Sequence, residues 1–167
     1  MYNQWFLDFA PGTFRATRIS ATASVEASLL VTSYLRDIRP QTMRETPSIL
    51  ATLRMATCPP LAVDRLIGLA GVNPSLVKTM EKDNRLPVRM AADVLDRELQ
   101  KIGEIVERMA DPDIFVWLAR GDEPKQEEIH RAATIVADRL CGAQANPIIR
   151  NEQEKRQLTK VKAWLEA

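Results

Sequence analysis

Apolar and polar positions recur at helical spacing over most of the chain. Between Thr22 and Ile38, the residues Val25, Leu29, Leu30, Tyr34 and Leu35 fall on one stripe, and Pro40 ends it. Thr46 and Pro47 open a second helix carrying Ile49, Leu50, Leu53 and Met55, and Pro59 and Pro60 stop it. Leu66, Leu69 and Ala70 give the next helix an apolar face, with Asp64 in its first turn, where a negative charge suits the dipole. Pro87 opens a long helix to about Ala110. Its stripe is Met90, Val94, Leu95, Leu99, Ile102, Val106 and Met109, and its other side is charged. Asp111 caps a short helix from Pro112 with Ile114, Phe115, Trp117 and Leu118, stopped by Gly121. Residues 124–141 form a further helix with Ile129, Ala132, Ala133, Val136 and Leu140 inward and Gly142 as its C-terminal cap. The last segment starts near Pro147 and passes Ile148, Ile149, Leu158, Val161, Trp164 and Leu165.

The expected fold class is therefore all-α, a multi-helix domain. Residues 1–20, with Trp5, Phe6, Phe9 and Phe14 around Pro11 and Gly12, read as an irregular N-terminal arm. Residues 21–145 read as the helical domain. Residues 146–167 read as a C-terminal helix leading to a missing domain, because no Gly, Asn or Pro closes it.

The stretch Arg65–Glu81, RLIGLAGVNPSLVKTME, reads as helix, tight turn, helix, within residues 61–83. Gly71 sits where the chain must turn, Asn73 is a good N-cap, and Pro74 occupies the first helical position. Leu76, Val77 and Met80 form the buried face of the second helix. Leu66, Leu69, Ala70, Gly71, Val72, Asn73, Leu76, Val77 and Glu81 resemble the helix-turn-helix of phage-repressor-type DNA-binding domains. Ile67 departs from that pattern, replacing a small residue where two helices approach closely. A helix-turn-helix places its second helix in the DNA major groove. The alternative is an αα-hairpin used only for packing.

The formal net charge of +1 excludes a histone-like basic binder but leaves room for one local basic face. With 46% apolar residues, the chain is not disordered as a whole. Cys58 and Cys141 are far apart, so they suggest neither a disulfide scaffold nor a metal site; they read as reduced, buried thiols in a cytoplasmic protein. No apolar run approaches the ~18 residues of a membrane span. The aromatic, acidic start is no signal peptide.

For DNA contact, Asn73, Ser75, Lys78 and Thr79 lie at or near the exposed start of the second helix. Asn can pair with adenine, and Ser or Thr can reach bases or phosphates. Lys82, Arg85 and Arg89 are placed for phosphates. Pro112-Asp113 followed by Glu123-Pro124-Lys125 matches a nuclease pattern of carboxylates and lysine around Mg²⁺. No strands bring them together, and capping explains these residues. His130, the lone histidine, lacks the partners of a metal site or triad.

Two segments, residues 52–90 and 137–167, resemble the N-terminal region of the XamI family of type II restriction endonucleases. The second is also similar to the helical region of the BsuBI/PstI family. Asn146-Pro147-Ile148-Ile149-Arg150-Asn151 with Glu154-Lys155-Arg156-Gln157-Leu158 is the most specific part. The resemblance implies a protein that cuts double-stranded DNA at a short sequence with Mg²⁺. It places a nuclease core, with its carboxylates and lysine, after the helical region. This chain would then bind double-stranded DNA without a cofactor or catalysis of its own. A stand-alone helix-turn-helix regulator, homodimeric on paired half-sites, is the alternative, with a packing module as a third. A second copy is thus a candidate partner, and a membrane is not.

Overall fold

The two longest helices, α1 (Tyr2–Val31) and α8 (Gln126–Glu166), lie against each other and frame the molecule. They run antiparallel. Glu26 meets His130 at 3.3 Å, Arg18 meets Asp138 at 3.5 Å, the Cys141 thiol reaches the Phe14 carbonyl at 3.4 Å, and Arg156 lies over the Trp5 ring. The computed structural model describes residues 2–167, without the side chains of residue 2 and residues 143–147.

Between the long helices come α2 (Pro40–Glu45), a 3-10 turn (Pro47–Ile49), α3 (Leu50–Met55), α4 (Val63–Ala70), α5 (Pro74–Asp83), α6 (Ala92–Met109) and α7 (Val116–Arg120). The fold is all-α, and a single antiparallel bridge, Thr57 to Ala110, is the only β pairing among the described residues. That bridge ties the C-terminal ends of α3 and α6, which would otherwise leave unpaired carbonyls. Cys58 N–H donates to the Met109 carbonyl at 2.8 Å and Asp111 N–H to the Ala56 carbonyl at 3.0 Å. Arg139 of α8 completes the cap by donating to the carbonyls of Met55 and Thr57. One continuous core joins Val25, Leu29, Leu53, Leu99, Ile102, Phe115, Trp117 and Val136.

Several sequence expectations are corrected. Residues 1–20 are not an irregular arm: α1 runs through them with Pro11 inside, and on the α8 side Ala10 is buried while Trp5 stacks on Phe9 at 5.2 Å. Burial along α8 thus outweighs the local cost of a proline in a helix interior. The helix does not reach Ile38. It ends at Val31, and Ser33, Tyr34 and Leu35 turn the chain with positive φ of 49°, 59° and 68°. Side chains rarely take that left-handed backbone. Here the Thr32 hydroxyl accepts from Leu35 N–H, the Trp117 indole donates to the Tyr34 carbonyl, and Leu35 is buried. Pro40 opens α2 instead of only ending its predecessor. α6 starts at Ala92, not Pro87, so Arg89 and Met90 lie in a loop. Gly142 lies inside α8 and caps nothing, and α8 runs across the expected 145/146 boundary. No new helix starts at Pro147, because α8 continues through it.

Cys58 is exposed, whereas Cys141 is buried as expected, and burial pushes the Cys141 thiol above its ordinary value. Gly103 has a packing role invisible in sequence. A Cβ there would sit 2.6 Å from the Ile38 carbonyl oxygen, so only glycine lets α6 come this close to the chain entering α2.

The start of α8 is pinned by charge. Glu128 accepts from Lys125 N–H at 2.8 Å and takes two 2.8 Å bonds from the Arg120 guanidinium. Arg120, then the Lys125 amide, pull the Glu128 carboxyl from the ordinary 4.5 down to about 2. A depressed acid stabilises the fold fully above its unfolded value and loses that contribution as pH falls toward the folded one. Stability of the native chain therefore drops between pH 4.5 and about 2 through this residue. Glu128→Gln should flatten the slope of urea midpoint against pH in that window, and an unchanged slope would remove Glu128 from the acid response.

Candidate nucleic-acid interface

α4 and α5 are joined by a three-residue turn built from local chemistry. Gly71 takes φ 65°, left-handed, and its N–H donates to the Ile67 carbonyl at 2.9 Å. Val72 is buried and anchors the turn. Asn73 is the N-cap of α5, and its side chain accepts from Ser75 N–H at 2.9 Å. Pro74 follows at the first helical position.

The inward faces differ from expectation on one helix only. On α5, Leu76, Val77 and Met80 are buried as read. On α4, Leu66 is buried with Val63, Ile67 and Ala70 packed beside it, but Leu69 is 47% exposed. The helix is rotated so that Ile67, not Leu69, meets the core. An apolar group at Ile67 suits that orientation.

α4 and α5 are held at three points by side chains that sequence spacing does not reveal. Arg54 of α3 makes a two-bond ion pair with Glu81 and also donates to the Leu61 carbonyl at 2.7 Å. One guanidinium thus grips the chain just before α4 and the last turns of α5. Glu98 of α6 accepts from Asn73 N–H at 3.3 Å, holding the turn between them.

The outward face gathers most of the sequence-selected residues. Ser75, Lys78 and Lys82 are exposed at i, i+3 and i+7, so they share one side of α5. Thr79 is half-buried beside them. Asn73 is exposed, yet its side-chain oxygen is occupied by the cap, which leaves the amide N–H₂ as its outward donor. Arg85 is exposed and lies 3.8 Å from Asp83. Arg89 is exposed in the α5–α6 loop, apart from the helical face. Lys78, Lys82 and Arg89 form no ion pair among the described residues. The face is therefore cationic, and Arg85 beside it lies close to Asp83.

The carboxylate pattern does not make a metal centre. Asp113 and Glu123 flank the two ends of α7, Glu123 is paired with Arg36 at 2.8 Å, and Asp111 caps the turn by accepting from Asp113 N–H. No group of three His, Cys, Asp or Glu side chains able to hold a metal occurs among the described residues. Among the described residues His130 pairs with Glu26 at 3.3 Å. Among the described residues no helix is long and apolar enough to cross a membrane.

Comparison with known proteins places this chain among restriction endonucleases. Residues 33–167 match the family described as XamI restriction endonuclease, and the chain belongs to that family. The type II restriction enzyme SalI of Streptomyces albus G is 48% identical over 167 residues, covering 99% of this chain and 52% of the enzyme. The chain thus spans about half the length of that relative. No solved structure matches it.

Proposed function

We propose that this chain is the DNA-engaging helical part of a type II restriction endonuclease and acts through the helix-turn-helix formed by α4 and α5. The observation that carries this reading is the outward row Ser75, Lys78 and Lys82 on a helix locked from behind by Leu76, Val77 and Met80. A rigid helix with hydroxyl and ammonium groups on one side suits the major groove. Asn73, Ser75, Lys78 and Thr79 contact base edges or nearby phosphates, and Lys82, Arg85 and Arg89 hold the backbone. Strand cleavage, with Mg²⁺, belongs to the remainder of a longer protein, as the half-length match to SalI supports. The substrate is double-stranded DNA in the cytoplasm, and a second copy is the candidate partner on a two-fold site.

The test is a gel shift on mixed plasmid fragments at low and moderate salt, with Mg²⁺ in one lane. A shift that fades as salt rises, with fragments uncut, is expected, because each neutralised phosphate adds about 0.9 to the logarithmic salt slope. Lys78→Ala with Asn73→Ser should weaken binding about tenfold at unchanged helicity, since Ser keeps the N-cap while removing the amide donor. Unchanged affinity would take the reading role from α5. Cut fragments would place catalysis in this chain, and no shift at any salt would overturn DNA engagement.

A further inference from the structure

The loop between α5 and α6 holds an apolar side chain out in water between two arginines. Val88 is 92% exposed, more than any other large apolar residue among the described residues. One exposed aliphatic group is ordinary on a protein surface. This one is not on a slack loop. Leu86 and Met90, two residues to either side, are half-buried and pack against the core, and Pro87 fixes its own backbone angle. The turn at Val88–Arg89 is therefore a supported tip. Arg89 forms no ion pair among the described residues, and Arg85 has only the 3.8 Å contact to Asp83 with 71% of its side chain exposed.

We propose that this Pro87–Arg89 tip is a second DNA element that enters the minor groove next to the major-groove site of α5. The inference rests on the DNA-engaging reading above and refines it by moving Arg89 from a phosphate contact into that groove. The chain leaves α5 at Asn84, and Val88 follows four residues later, so the tip lies next in the chain to the Lys82 end of the DNA-facing row. The minor groove concentrates negative potential, which draws an inserted guanidinium. Its walls are sugar and base edges, against which an aliphatic group can wedge. Val88 and Arg89 supply that pair of contacts at one turn, and Arg85 is left for the phosphate between the grooves. Lys82 and Asp83 are the charged neighbours on the α5 side and Asp93 on the α6 side. Lys82, Arg85 and Arg89 give three positive charges against the two acids.

The experiment uses the 167-residue chain on duplexes selected by it from a random pool. Hydroxyl radicals report minor-groove sugars, and dimethyl sulfate reports guanine N7 in the major groove. The native chain should protect both, on adjacent grooves. Val88→Ser with Arg89→Ala should lose the sugar protection, about tenfold in affinity and about one unit of salt slope, while N7 protection persists. Both residues are exposed, so helicity should not change. Persistent sugar protection and affinity in the variant would overturn the minor-groove contact and leave α5 reading intact. Selection of no duplex by the native chain would overturn the DNA-engaging reading itself, and this inference with it. Loss of N7 and sugar protection together in the variant would overturn the assignment of the tip to a separate groove.

Discussion

Trp117→Ala should destabilise the chain by about 4 kcal/mol, because removing a buried tryptophan costs both transfer free energy and a cavity. The Trp117 ring is fully buried and meets Tyr34 and Phe115 edge-on, at 6.4 Å and 5.7 Å between centroids. Each such aromatic pair adds roughly 0.5–1.5 kcal/mol beyond the area it buries. Its indole N–H donates to the Tyr34 carbonyl at 2.9 Å. That carbonyl belongs to the left-handed corner after α1, where no helix ladder would take it. Trp117→Phe separates the two roles. It keeps most of the apolar volume, removes the donor and should cost about 2 kcal/mol. Urea unfolding followed by helical circular dichroism reads both. A Trp117→Ala midpoint within about 1 kcal/mol of the parent would show that the corner does not depend on this side chain.

Arg54→Ala should cost about 3 kcal/mol, the lower end of the range for breaking a buried ion pair, since both partners keep slight solvent access. Their side chains are 12% and 17% exposed. The truncation leaves the Glu81 carboxylate without its two-bond partner and the Leu61 carbonyl without its donor. Arg54→Lys should recover little, since one ammonium cannot make the forked contact and reach Leu61 as well. Arg54→Met with Glu81→Leu should recover most of the loss, because an apolar pair removes the stranded charge. If the double variant were as unstable as Arg54→Ala, the cost would lie in something other than an unpaired charge. In DNA binding, a loosened α5 predicts weaker affinity than the Lys78 change alone produces.

How far these features were legible differs by element. On α5, Asn73, Pro74, Leu76, Val77 and Met80 stood where capping and periodicity placed them, because a ten-residue helix end is written in adjacent residues. On α4, periodicity chose Leu69 where the core takes Ile67, since two apolar neighbours on a short helix leave the rotation open. The α1 arm misled for a related reason. Pro11 and Gly12 read as breakers, and only the packing of α1 against α8 keeps them in one helix. Of the candidate DNA contacts, Ser75, Lys78 and Lys82 share a face as spacing required, with Thr79 beside them. Arg89 was set on a helix that begins three residues later.

The amino-acid sequence by itself determined the helical class, the Gly71 turn, the cap of α5 and the family, because each is carried by residues a few positions apart or by similarity along the chain. The tertiary structure alone decided what joins distant positions. Arg54 meets Glu81 across 27 residues, Trp117 supports a corner 83 residues away, and Gly103 admits a backbone oxygen that no local pattern announces. Those contacts repay strain and desolvation only once the core has brought the helices together, so no short window of sequence contains them.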